Sequence, residues 1–308
     1  MKKKSSKIST IILVIVFFAG LSVMLYPVLS DWYNSAHQAR LISDYQQKVS
    51  TLNDQDKIEK LKRAREYNIQ LAALDFPLIE YEKVHGYESI LDVTGNGVMG
   101  YLTIPNINVH LPICHGTSRD TLEKAVGHLQ GSSLPIGGTN VHAVVSAHRG
   151  LPSATLFTDL DKVAEGDIFT INILDQVYTY EVEKIYIVQP EESQYLNIQK
   201  GSDLVTLTTC TPYGINTHRL LVRAHRIMTP GEDPEVEIKI TSDAVRVDDM
   251  SVVPFFAAPL LAALFGWWFF GAKKKRNFPH SDPLSVLYDS GSGGRSQRRE
   301  ARNAKKQD

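Results

Sequence analysis

The sequence predicts a mainly β domain, a closed or nearly closed barrel preceded by helices and carried between two membrane-spanning helices. Three observations lead there. Short runs rich in Val, Ile, Thr and Tyr, separated by turns, fill the chain from Val98 to about Ile227. A charged, amphipathic stretch precedes them from Asp31 to Leu74. Two long runs without a charged residue, Ile8 to Ser30 and Met250 to Ala272, stand at the ends.

Crossing a hydrocarbon core takes about 20 apolar residues, and each end run is long enough. The first could also be a cleaved leader. Its apolar run is longer than the roughly 7–15 residues of a leader, however, and YPVLSDWYN offers no small-residue cleavage site. An uncleaved anchor is therefore the expectation. Lys2, Lys3, Lys4 and Lys7 precede the first run, and Lys273, Lys274, Lys275 and Arg276 follow the second. Basic flanks stay in the cytoplasm, so residues 31–249 are expected outside the cell with both termini inside. The divisions that follow are a basic start and anchor (1–30), helices and a possible lid (31–97), and a β domain (98–230). A juxtamembrane segment (231–249), a second span (250–272) and a basic, Ser/Gly-rich disordered tail (273–308) complete the chain. The formal net charge of −1 argues against a nucleic-acid partner and leaves the membrane lipid as the partner of the two spans.

Within the helical stretch, Ile58, Leu61, Ala64, Asn68 and Leu71 recur at three- and four-residue steps. LNDQD at 52–56 interrupts the pattern and supplies an N-cap. Two helices joined by a short turn are expected, the first continuing from the anchor. The next segment, DFPLIEYEKVHGYESILDVTGNG, lacks a period and is long for a connection. It reads either as a lid or as a plain connector. Among the strands, TSRDTLEKAVGHL and LPSATLFTDLDKVAEGD are less regular, and each has room for a helical turn.

The chemistry concentrates at TLTTCTPYGINTHRLLVRAHR, residues 206–226. Two alternating runs flank a Pro-Tyr-Gly turn, so a hairpin would return Arg219 toward Cys210. Reactive thiols sit in polar, electropositive settings that stabilise the thiolate, and this one qualifies. Cys114 is the second of two cysteines. A disulfide between them is one reading, but a domain of this size has core enough to do without a staple. A cysteine nucleophile needs a base and an oxyanion donor. His148 ends the run NVHAVVSAH at a strand stop, Arg149-Gly150-Leu151-Pro152. On residues alone it is either that base or a structural histidine. His142 shares its facing, yet six residues at about 3.3 Å each set it far down the strand. Arg219, always charged, suits an oxyanion or a substrate carbonyl. Arg223 and Arg226 read as solvated strand charges.

TLTTC with an arginine nine residues on resembles the signature of the sortases. VVSAHRGLPSATLFTDLDKV resembles that family's histidine segment, especially in class C, the pilus-polymerising branch. GYLTIPNINVHLPICHGTS resembles its opening strands, and the likeness covers about 100–227. The resemblance implies an eight-stranded barrel with the site at one rim, and no cofactor. It makes Cys210 the nucleophile, His148 the catalytic histidine and Arg219 the third member. Thr208 and Thr209 become candidates to line the substrate groove. It implies a transpeptidase that cuts an LPXTG-like sorting signal between Thr and Gly and joins the threonine carbonyl to a pilin lysine. Attachment of surface proteins to a peptidoglycan precursor, hydrolysis by water, and a non-enzymatic assembly scaffold are the competing readings. Class C members commonly carry an Asp-Pro-aromatic lid over the cysteine, whereas this chain has Asp75-Phe76-Pro77. A lid built on Asp75 and Phe76 would lay the ring over Cys210 and pair the carboxylate with a cation such as Arg219. Cys114 has no role in the resemblance and is expected to be a packed strand-end thiol.

Overall fold

The computed structural model describes residues 3–227. The second span, the juxtamembrane segment and the basic tail expected from the sequence lie outside them.

The first helix, α1 (Lys3–Ser50), runs without a break from the apolar segment into the charged one. Its most apolar 18-residue window has a mean hydropathy of 2.6 and buries nothing against the rest of the molecule, so it is long and apolar enough to cross a membrane. The charged part behaves differently: Ile42, Tyr45 and Val49 are buried in the domain. Asn53 caps α2 (Asp54–Ala72), its side chain accepting a 2.7 Å hydrogen bond from the Asp56 amide. Leu61, Ala64, Tyr67, Asn68 and Leu71 form the buried stripe of α2. Ile58, which the periodicity placed on that stripe, is exposed in its first turns. Asn68 is buried because both ends of its amide are used. It donates to the Leu134 carbonyl at 3.0 Å and accepts from the Leu134 amide at 2.7 Å.

Eight strands close a barrel. They are β1 (Val98–Ile104), β2 (Val109–His115), β3 (Val126–His128), β4 (Val141–Ser146), β5 (Ile168–Ile173), β6 (Gln176–Val188), β7 (Asp203–Thr211) and β8 (His218–Arg226). Their spatial order is β1-β2-β3-β4-β7-β8-β6-β5. Closure leaves no free edge along the sheet. Two of the neighbouring pairs are parallel, β2 with β3 and β4 with β7. Parallel neighbours need crossovers: the first irregular stretch carries β2 to β3, and the second leads from β4 into β5 at the start of the longer path to β7. The first contains α4 (Arg119–Leu122), and the second a single 3-10 turn at Leu160–Lys162.

Alternation sorts each strand. On β7, Val205 and Leu207 point into the core, as do Ala143 and Val145 on β4 and Leu220, Val222 and Ala224 on β8. The intervening residues face outward. Arg223 and Arg226 are not solvated charges, contrary to the sequence reading. The guanidinium of Arg223 pairs with Glu183 and lies 5.2 Å from the Tyr186 ring centroid. That of Arg226 stacks 4.7 Å from the Tyr178 centroid. Strand alternation reports which face a side chain takes, not what another strand brings to meet it.

The segment after α2 is ordered by packing. A short helix, α3 (Pro77–Glu80), is followed by two 3-10 turns, and Val84, Tyr87 and Leu91 are buried. The Tyr87 hydroxyl accepts from the Gly116 amide at 2.9 Å and lies 2.9 Å from His128 Nδ1. Gly131, at a φ of +84°, lets α3 approach closely: a Cβ there would stand 2.8 Å from Leu78 Cα and the Pro77 carbonyl oxygen.

Candidate active site

The register of three strands assembles the site. Across the antiparallel pair β7–β8, Cys210 stands directly opposite Arg219. Across the parallel pair β4–β7, Ser146 pairs with Thr208. The Ala147 amide continues that ladder with a 3.2 Å hydrogen bond to the Thr208 carbonyl. Two further residues bring His148 level with Cys210. The row His148–Cys210–Arg219 therefore runs on the outer face from just past the end of β4 across β7 to β8, neighbours about 4.8 Å apart. His142 shares that face but is fully buried lower down, held by the Asn197 carbonyl and the Thr206 hydroxyl, both at 2.8 Å. Burial pushes its pKa down, so it stays a neutral structural ring.

A groove of about 340 Å³ contains the row. Thr208, Thr209, Cys210, Arg219 and His148 all line it. Its walls come from the β6–β7 connection (Val188 through Leu196) and from Thr117, Leu122 and Leu129 on the other side. Sequence reasoning did not find these walls, although the turn-rich QPEESQ between two strands was the available signal. Thr208 is half-buried. Thr209 is buried, and its hydroxyl already donates to the Ala147 carbonyl at 2.8 Å, tying β7 to the residue before His148.

Arg219 is half-buried, and among the described residues no carboxylate pairs with it. Its Nη1 is within 3.2 Å of the His218 carbonyl and 3.4 Å of the Asn216 carbonyl, weak contacts that a stronger acceptor would displace. A free guanidinium beside a half-buried thiol can hold a thiolate or an oxyanion.

Arg149, the residue after His148, was not singled out by the sequence. Its guanidinium is almost fully covered and makes three bonds. Nε donates to the Thr158 carbonyl at 3.1 Å, Nη1 to the Thr211 hydroxyl at 3.2 Å, and Nη2 pairs with Asp161. It thus ties the loop after His148 to the end of β7. Tyr213 packs from the other side: a Cβ on Gly150 would lie 2.9 Å from its ring.

Asp75 and Phe76 are not in the groove. Phe76 is 65% exposed, and its amide faces Glu80 Oε2 at 3.4 Å. The ring therefore does not cover Cys210 here, and no ion pair joins Asp75 to Arg219 among the described residues. The cause is local. Pro77 starts α3 directly after Phe76, and the close contact of Pro77 and Leu78 with Gly131 fixes where that turn sits.

Both cysteines are free. Three strand steps separate β2 from β7, about 14 Å at the usual spacing, which is too far for a disulfide. Cys114 packs against the core, and burial pushes its thiol up to about 12. Among the described residues, no group of three or more His, Cys, Asp and Glu could hold a metal ion.

A sortase domain model matches residues 102–227. The structure superimposes on sortase C1 from Streptococcus agalactiae with a TM-score of 0.57 and 46% identity, covering 62% of this chain and 99% of that one. The chain belongs to the sortase family. Two further solved structures resemble it. Sortase C from Streptococcus pneumoniae is 42% identical with a TM-score of 0.56, over 62% of this chain and 97% of that one. Sortase C from Clostridium perfringens, solved with the C-terminal cell wall sorting motif, is also 42% identical with a TM-score of 0.54, over 62% of this chain and all of that one. Among curated relatives, sortase D of Bacillus subtilis is 36% identical over 114 residues, 37% of this chain and 54% of that protein. The chain thus spans about half the length of the curated relatives it matches.

Proposed function

We propose that this sortase is a membrane-anchored cysteine transpeptidase that polymerises pilins. The observation that carries the reading is the single outward row His148–Cys210–Arg219 inside one groove. In the reaction, the Cys210 thiolate attacks the threonine carbonyl carbon of an LPXTG-like signal. Arg219 holds the resulting oxyanion. The bond to the glycine nitrogen breaks, His148 gives that nitrogen its proton, and a thioester remains on Cys210. An incoming amine, a lysine of another pilin, then attacks the thioester and loses a proton to His148. The thiolate leaves, so an isopeptide bond forms and the enzyme returns to its starting state.

The likeness to class C structures, one of them described in terms of pilin substrate specificity, supports the pilin acceptor over a peptidoglycan precursor. The exposed apolar helix α1 supports anchoring. With the second apolar run and its basic flank, it gives a hairpin whose catalytic domain is outside and whose termini are both cytoplasmic.

The test is to incubate the chain with candidate pilins, with and without a lysine-bearing acceptor, and to map the products by mass spectrometry. A Thr–Lys isopeptide that needs Cys210 and survives Cys114→Ala is expected. Free carboxylate regardless of acceptor would make the protein a hydrolase. Crosslinking that persists in Cys210→Ala would make it a scaffold.

A further inference from the structure

The unbroken helix α1 acts as a ruler along the barrel. Asp31 is the first charged residue after the apolar run, and its carboxylate accepts from the Thr155 amide at 2.8 Å and the Thr155 hydroxyl at 3.0 Å. One turn on, the Asn34 amide donates to the Ser153 carbonyl at 2.7 Å. Gln38 donates to the Lys124 carbonyl at 2.9 Å. Further along, the Tyr45 hydroxyl donates to the Met99 carbonyl and accepts from the Leu174 amide, both at 2.8 Å. At 1.5 Å per residue, Tyr45 stands about 21 Å beyond Asp31 along the axis. The barrel is thus graded by distance from the apolar segment. The loop at 153–155 is at the border of that segment, and the β5–β6 turn is far from it. A tilt of the helix within the usual range of about 0–40° shortens these distances without changing their order.

The loop at the border is the one that follows His148. Leu151 pairs with Ala154, which folds Gly150 back beside Thr155. Against Gly150 lies the ring of Tyr213, from the turn that follows Cys210. Both segments leaving the site therefore gather at the same end. Their apolar side chains are open: Tyr213 is 60% exposed, Ile215 68%, and Pro152 is exposed. On α1, Trp32 and Tyr33 are also exposed, one and two residues past Asp31. Tyr and Trp favour the headgroup region, where the ring meets hydrocarbon and the polar tip meets water. A span that ends at Ser30 puts them there.

We propose that the catalytic end of the barrel docks on the outer surface of the lipid bilayer, through Trp32, Tyr33, Pro152, Tyr213 and Ile215. The inference rests on α1 being a membrane anchor. It adds that the hydrogen bonds of Asp31 and Asn34 hold the groove down at the interface rather than letting the domain swing out. The groove then takes extended peptide at the point where a membrane-tethered chain leaves the lipid, and the opposite end of the barrel faces away.

The test uses the full chain in nanodiscs of phosphatidylcholine and phosphatidylglycerol carrying nitroxide-labelled lipid. In a Cys114→Ala, Cys210→Ala background, single cysteines are introduced as Leu29→Cys, Pro152→Cys, Tyr213→Cys and Gln176→Cys, and each is labelled with a fluorophore. Leu29 reports the span and Gln176 the distant β5–β6 turn. Expected is strong quenching at 29, and at 152 and 213 at least three times the quenching at 176. Quenching at 29, with 152 and 213 no different from 176, would overturn the docking and leave the anchor standing. No quenching at 29 would overturn the anchor and the docking with it.

Discussion

Replacing Arg149 separates positioning from mere packing at the site. Arg149→Met keeps much of the stem and removes the guanidinium. It strands the Thr158 carbonyl and the Thr211 hydroxyl, each bonded to a charged donor and worth about 1.5–3 kcal/mol. The Asp161 pair adds at most about 1 kcal/mol, because that carboxylate is 45% exposed and solvent screens it. A loss of about 3–7 kcal/mol follows for the methionine variant. Arg149→Lys keeps the charge but not the fork, so it recovers one contact at best. Neither variant touches the reacting atoms, but both free the histidine loop from the end of the nucleophile strand. A misplacement of about 1 Å costs on the order of 100-fold in rate. The assay is transfer of a sorting-signal peptide to an amine, with thermal unfolding followed in parallel. In Arg149→Lys, kcat should fall about 10- to 100-fold at a temperature where the variant is still folded, with KM moving little. A destabilised Arg149→Lys with native kcat would refute the argument and reduce Arg149 to a brace for the fold.

Two further outcomes follow from burial. His128 is fully buried, donates through Nε2 to the Ser133 carbonyl, and has a pKa pushed down to about 4 by burial. Its folded pKa lies below the ordinary 6.5, so the stability it supports is complete above pH 6.5 and is lost as pH falls toward 4. The loss by pH 4 is about 3 kcal/mol. Unfolding midpoints between pH 7 and 4.5 should show it, and His128→Gln should flatten the dependence by about one proton; an unchanged slope would disprove the assignment. At pH 7.5 iodoacetamide should alkylate Cys210 and spare Cys114, whose thiol stays protonated. Phe76→Ala should leave that rate unchanged, because the ring is exposed and outside the groove; faster labelling would show that it folds over the thiol in solution.

The sequence by itself determined the fold class and the family resemblance. Alternation marked the strands, the capping pattern at Asn53 ended one helix and began another, and the motif around Cys210 pointed to three residues that the fold brings into one groove. These are local signals, set by side-chain period and backbone propensity within a few residues. The partners of Arg223 and Arg226, the role of Arg149, the commitment of the Thr209 hydroxyl and the position of Phe76 were not legible there. Each depends on which strand or turn arrives from far along the chain: Glu183 from β6, Thr211 from β7, Ala147 from β4 and Gly131 beneath α3. Barrel closure and register decide those meetings, and pairing between strands as much as 71 residues apart, Tyr101 with Asn172, leaves no period in the sequence. The same holds for where α1 meets the barrel. The apolar run of α1 could be read directly, but only the bonds that Asp31 accepts from Thr155 and that Asn34 donates to Ser153 decided which end of the barrel it holds.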